Sequence, residues 1–150
     1  MFLILCLSDL SIHDNCSFEQ AALAEPLSVV IHASRRAELS AGQTVLVFGV
    51  GTIGLLACAV AKSKGAARVV AIDINQTRLD FAKSNGFASQ IFCLPTVDKA
   101  KTTDEQLRRA KEYIQTALAA FGEQDGFDLV FECTGAEQCI QMSVHVSNPC

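Results

Sequence analysis

The chain has 150 residues, half of them hydrophobic and 19% charged, with a formal net charge of −4. That length suits one domain, and the composition supports a folded core and excludes an extended disordered chain. The negative balance argues against a basic nucleic-acid surface, and no continuous apolar run reaches the roughly 18–20 residues of a membrane span. The opening "MFLILCLSDL" is apolar but short. It has no basic start and no small-residue cleavage site, so it reads as neither signal peptide nor anchor.

In chain order, Ser17 with Gln20 three residues later predicts a capping box and a helix start. Pro26 interrupts that helix, since it lacks an N–H and disfavours helical geometry at Glu25. A second helix is expected from Pro26 to about Glu38. "TVLVFGV" (Thr44–Val50) is a continuous apolar, β-branched run that predicts a strand buried on both faces. Leu55–Lys64 reads as helix, Arg68–Ile74 as strand, and Gln76–Asn85 as helix with Gly86 as its stop. Ser89–Leu94 reads as a third strand. Thr102 and Glu105 form a second capping-box pattern. It opens a helix whose apolar face is Leu107, Ala110, Ile114, Ala117, Leu118 and Phe121. Asp128–Gly135 reads as a fourth strand, and a short helix is expected near Glu137. This strict alternation predicts an α/β fold: part of a doubly wound parallel sheet of the Rossmann type, strand order 3-2-1-4, preceded by a helical segment.

Gly49-Val50-Gly51-Thr52-Ile53-Gly54 is a GxGxxG motif, weak alone and strong in this setting. A strand ends at its first glycine and a helix opens after its second. Asp73 ends the next strand 19 residues after Gly54. Gly49 permits the tight turn, Gly51 lets a pyrophosphate reach the backbone, and Gly54 lets helix and strand pack closely. The N–H groups around Thr52 and Ile53 would face the anion at the helix start. Asp73 would accept hydrogen bonds from ribose hydroxyls and repel a 2′-phosphate, which favours NAD over NADP. Arg78 either stacks on the adenine face or stands as a solvated helix arginine; it could also accommodate a 2′-phosphate.

Glu25 is the one ionisable group in "AALAEPLSVVI". An ionised carboxylate is costly to bury alone, so Glu25 must reach solvent, meet a cation or carry a raised pKa. His32 reads as a hydrogen-bonded structural histidine rather than a ligand. His13 and His145 offer no metal-site spacing. Seven cysteines stand at 6, 16, 58, 93, 133, 139 and 150, with no CxxC pair. They read as reduced thiols of a cytoplasmic protein, not as a disulfide framework or a zinc site.

Three stretches, "EQAALAEPLSVVIHASRRAEL", "VLVFGVGTIGLLACAVAKSKGAARVVAIDINQTRLDFAKSNGFA" and "DGFDLVFECTGAEQCIQMSVH", resemble the polyol dehydrogenase branch of the zinc-dependent medium-chain dehydrogenases. These are the sorbitol, xylitol and L-arabinitol dehydrogenases, and the wording is most like fungal members. The resemblance runs from Ser17 to His145, and "EPLSV" and "ECTGAE" are its more specific parts. It implies NAD-linked interconversion of a small polyol and a ketose, with zinc polarising the substrate oxygen. It also implies that the glycine turn with Ile53 holds the pyrophosphate, and that Asp73 and Arg78 hold the adenosine half. Cys133, Thr134 and Gly135 would lie by the nicotinamide ribose. Glu25 would sit beside the zinc, directly or through water. Family members are commonly homo-oligomers, and neither nucleic acid nor membrane is an expected partner.

Residues 1–16 do not resemble the family, residues 17–43 correspond to the helical connection from a GroES-like catalytic domain, and residues 44–150 correspond to an incomplete NAD-binding domain. The principal zinc ligands belong to that catalytic domain. The expectation is therefore a fragment, splice variant or truncated gene model that is inactive alone and leaves its fourth strand as an exposed edge. A non-catalytic dinucleotide-binding module and a different medium-chain alcohol or threonine dehydrogenase are the alternative readings.

Overall fold

The computed structural model describes residues 12, 14–95, 102–123 and 125–146. The expectations for residues 1–11, for His13, Cys6 and Cys150, and for residues 147–150 lie outside them.

Helix α1 (Phe18–Ala22) opens on the capping box. Ser17 Oγ accepts from the Gln20 N–H at 3.2 Å, and Gln20 Oε1 accepts from the Ser17 N–H at 2.9 Å. Helix α2 (Ala24–Arg36) starts two residues before Pro26, not at it. Leu23 alone separates the two helices and itself stays in the right-handed helical region, at φ −80° and ψ −13°. Pro26 is the third residue of α2, where an N–H has no partner within the helix, so its ring removes no bond. The steric bias against helix at Glu25 is outweighed by docking of α2 on α3 (Thr52–Ser63), which buries Val30 and Ser34. His32 is exposed rather than packed as a structural histidine.

Four parallel strands follow: β1 (Thr44–Phe48), β2 (Arg68–Asp73), β3 (Gln90–Cys93) and β4 (Leu129–Glu132). Their order is β3-β2-β1-β4, as the alternation predicts. Central β1 and β2 are buried along almost their whole length, which explains their unbroken apolar sequence. Edge strand β4 alternates buried and half-buried positions. The connecting helices are α3, α4 (Gln76–Ser84) and α5 (Thr103–Phe121), and α6 (Glu137–Val144) follows β4.

Two cores lie on the two faces of the sheet. On one, Val45, Val47, Val69 and Ala71 meet Ala57, Cys58 and Ala61 of α3 and Leu79 and Ala82 of α4. Small residues on α3 bring that helix close to the strands. On the other face, Leu46, Phe48, Val70 and Ile72 meet Ala110, Ile114, Ala117 and Phe121 of α5 and Met142 of α6. Phe121 lies edge-on to Phe92 and Phe127, with ring centroids 6.2 and 6.3 Å apart. Each large side chain buried here contributes about 1.5–3 kcal/mol. The apolar stripe expected on α5 is the buried one, except that Leu118 is half-buried and Leu107 is 42% exposed.

Polar clamps hold the amino ends of the strands. Asp128, just before β4, accepts from the Thr44 N–H at 2.7 Å and from Thr44 Oγ1 at 2.8 Å. Those bonds hold the Asp128 carboxyl below the usual aspartate range. Arg68, at the start of β2, pairs with Glu123 at 2.7 Å and donates to Gln90 Oε1 and the Phe121 carbonyl. Cys16, Cys58, Cys93, Cys133 and Cys139 are all free thiols, with Cys58 and Cys139 buried. Among the described residues no helix is long and apolar enough to cross a membrane.

Candidate functional site

The chain leaves β1 towards β2 on one side and returns from β3 to β4 on the other, so the carboxyl ends of β1 and β4 flank the switch point of the sheet. Gly49 follows β1 there with φ +82°. A Cβ at Gly49 would stand 2.6 Å from Thr134 Cγ2, and one at Gly54 would stand 1.7 Å from the Gly49 carbonyl oxygen. Both positions are closed by protein atoms. Gly51 differs: its φ is −72°, and a Cβ there would meet none of the described residues within 4 Å. It is also the N-cap of α3 and has no side chain to bond the first-turn N–H groups. Ser17, Asn75 and Thr102 do that for α1, α4 and α5. The α3 amino end therefore presents backbone donors, with the positive end of its dipole, to open space. Helix α3 begins three residues before Leu55, because Gly54 is required by the contact with Gly49 and does not end the helix.

Asp73 ends β2 with 7% of its surface exposed. Its Oδ2 accepts from the Val50 N–H at 2.7 Å, and its Oδ1 accepts from the Asn75 N–H at 2.8 Å. The carboxylate ties the glycine turn to the turn before α4, and each oxygen keeps a lone pair for another donor. An open cleft of about 370 Å³ lies beside this junction. Val50, Gly51, Thr52 and Leu55 line one wall, and Thr77, Arg78 and Phe81 line the other. Thr52, Ile53 and Arg78 are exposed. Phe81 is 52% exposed, one helical turn after Arg78 on the same face of α4. Its spacing from Arg78 was the available signal for it in the sequence.

Beyond β4, Cys133 donates its N–H to the Phe48 carbonyl at 2.9 Å. Burial, with the Cys133 thiol as a lesser cause, pushes the Cys58 thiol up to about 12. Burial and the nearby Glu132 push Cys133 up to about 11. Both are neutral thiols at physiological pH, so neither is an activated nucleophile. The strand expected to reach Gly135 stops at Glu132, because the chain turns back on the Glu132 side chain. One oxygen of that carboxylate accepts from the Thr134 N–H at 2.8 Å and from the Thr134 hydroxyl. The other accepts from the Gly135 N–H at 3.1 Å. Glu132 is not legible as a site residue in the sequence, where it reads as one more alternating strand position.

Glu25 is exposed in the first turn of α2. Among the described residues no three His, Cys, Asp or Glu side chains are grouped to hold a metal ion. These residues do not fit a zinc centre by themselves.

Residues 52–149 match the family described as zinc-binding dehydrogenase. D-xylulose reductase A of Aspergillus niger is 36% identical over 133 residues, which are 89% of this chain and 34% of that protein. Galactitol-1-phosphate dehydrogenase from Escherichia coli aligns with a TM-score of 0.69 and 30% identity, covering 92% of this chain and 35% of that one. A zinc-binding dehydrogenase structure from Sinorhizobium meliloti 1021 bound to NADP aligns with a TM-score of 0.64 and 25% identity, covering 82% and 32%. The chain spans about a third of the length of these relatives. The family match begins at the first residue of α3 and runs past α6, well over half of the sequence, and on that extent the chain belongs to the zinc-binding dehydrogenases.

Proposed function

We propose that this chain is the dinucleotide-binding part of an NAD-linked polyol dehydrogenase, which interconverts a small polyol and a ketose when whole. The observation that carries the reading is the division among the three glycines. Packing explains Gly49 and Gly54, whereas nothing among the described residues requires glycine at Gly51. A ligand that comes up against the backbone does. The pyrophosphate would rest on the N–H groups from Gly51 to Ile53, and ribose hydroxyls would donate to Asp73. The adenine would enter the cleft walled by Arg78 and Phe81, and the nicotinamide ribose would lie against Cys133, Thr134 and Gly135. The bound nicotinamide supplies the hydride acceptor. Asp73 favours NAD, because a 2′-phosphate would approach a carboxylate already fixed in place by two backbone donors.

The polyol class is supported by the D-xylulose reductase relative and by the "EPLSV" and "ECTGAE" stretches. Glu25 would stand beside the zinc of the whole protein, whose principal ligands come from outside the described residues. Reduced buried thiols support a cytoplasmic setting. Calorimetric titration of the chain tests the reading. NAD+ is expected to bind at least tenfold more tightly than NADP+, and Gly51→Val is expected to remove binding while costing no more than about 1 kcal/mol of stability. A chain that binds neither cofactor, or prefers NADP+, contradicts it. Alone, with xylitol, NAD+ and zinc, the chain is expected to form no NADH.

A further inference from the structure

We propose that Glu132 is a positioning residue. Its carboxylate sets the Thr134–Gly135 turn in the pose that receives the nicotinamide half of the dinucleotide. The inference rests on the proposed cofactor reading, and it concerns a side chain that reading does not use.

Three donors converge on this one carboxylate. Oε1 takes the N–H and the hydroxyl of Thr134, and Oε2 takes the N–H of Gly135. The Thr134 hydroxyl oxygen in turn accepts from the Ala136 N–H at 2.9 Å. Three consecutive residues, Thr134 to Ala136, are thereby fixed by a group at the end of the strand. The turn is also seated on the cradle, because Thr134 Cγ2 occupies the space that a Cβ at Gly49 would need. Glu132 is itself anchored, opposite Phe48 in the parallel register of β1 and β4. Its placement therefore derives from the rigid sheet, and it transmits that rigidity to a turn at the end of a strand that, among the described residues, pairs with β1 alone.

The chemistry demands an acceptor at both oxygens. Glutamine has the same shape but turns an NH₂ group towards one of the two backbone N–H groups, so it cannot satisfy both. A merely structural turn would lose stability on this change and treat all ligands alike. A turn that positions the nicotinamide half would distinguish ligands by their reach. NAD+ extends to the Thr134 turn, whereas AMP occupies only the end of the site at Asp73 and Arg78.

The experiment compares Glu132→Gln and Thr134→Val with the unaltered chain, with folding checked by circular dichroism. Affinities for NAD+ and AMP are measured by calorimetry, and amide hydrogen exchange is followed by NMR in the free chain. In Glu132→Gln, at least one of the Thr134 and Gly135 amides is expected to exchange at least tenfold faster. The Cys133 amide, held by Phe48, should be unchanged. NAD+ affinity is expected to fall about tenfold in both variants, with AMP affinity within twofold of the unaltered chain. Equal losses for NAD+ and AMP, or no loss for either, would overturn the proposal. So would unchanged exchange at Thr134 and Gly135. If the unaltered chain bound AMP and NAD+ equally well, the turn would be shown to touch no ligand, and the proposal would fail while the adenosine site stood. If it bound neither, the cofactor reading would fail first.

Discussion

A methyl group added at Gly54 would collide with the Gly49 carbonyl oxygen, while one at Gly51 would enter open space. Gly54→Ala is therefore expected to cost about 3 kcal/mol or more in urea denaturation, through overpacking against backbone that cannot move aside. Gly51→Ala should stay within about 1 kcal/mol of the unaltered chain and still weaken NAD+ binding about tenfold. Equal effects at the two positions would remove the case for a ligand. A second prediction concerns Cys58. Its folded-state pKa is raised to about 12 from an ordinary 9.0, chiefly by burial. The thiol's contribution is thus complete below about pH 9. It is lost as pH rises from there towards 12, where the unfolded thiol ionises and the folded one does not. Stability in urea denaturation between pH 8 and pH 10.5 is expected to fall, and Cys58→Ala should flatten the fall by up to about 1.4 kcal/mol per pH unit. An unchanged slope would show that Cys58 ionises freely in the folded chain.

At the scale of elements, the strands and helices were legible because their signals are local. The capping box at Ser17 and the stripe from Ala110 to Phe121 depend only on spacing along the chain. What could not be read depends on distant partners. The start of α3 at Thr52 requires Gly54 to be tolerated in a helix, and the reason lies across the turn at Gly49. The end of β4 is set by the reach of Glu132 round a turn whose shape no pattern announces. Within the candidate site, the glycines and Asp73 were legible because motif spacing encodes them, Phe81 is marked only by its spacing from Arg78, and Glu132 enters through geometry alone. The joining of β1 and β4 yields a further prediction. Thr44→Val removes the hydroxyl that donates to Asp128 and should cost about 1 kcal/mol. Asp128 has a depressed folded-state pKa. Its bonded carboxylate contributes above the unfolded value of about 3.9 and less as pH falls through the folded one. The stability gap between Thr44→Val and the unaltered chain should therefore narrow below about pH 4 in acid titrations followed by circular dichroism.

For the molecule as a whole, the strand order follows from alternation and right-handed crossovers, so topology was the most legible property of all. Ligand binding should also be visible at this scale. NAD+ at a hundred times its dissociation constant is expected to raise the melting temperature by about 5–10 °C. A shift of similar size with NADP+ at the same concentration would argue against selection by Asp73. The sheet has two rims with different contents. The amino rim carries the Thr44–Asp128 and Arg68–Glu123 clamps, and the carboxyl rim carries the glycine turn, Asp73 and Glu132. Five or six strand residues, roughly 17–20 Å of chain, separate them. Robustness and the proposed ligand handling can therefore drift apart under selection. Substitutions that toughen the amino rim can accumulate without touching the pocket, and a library aimed at heat resistance should be sown there first.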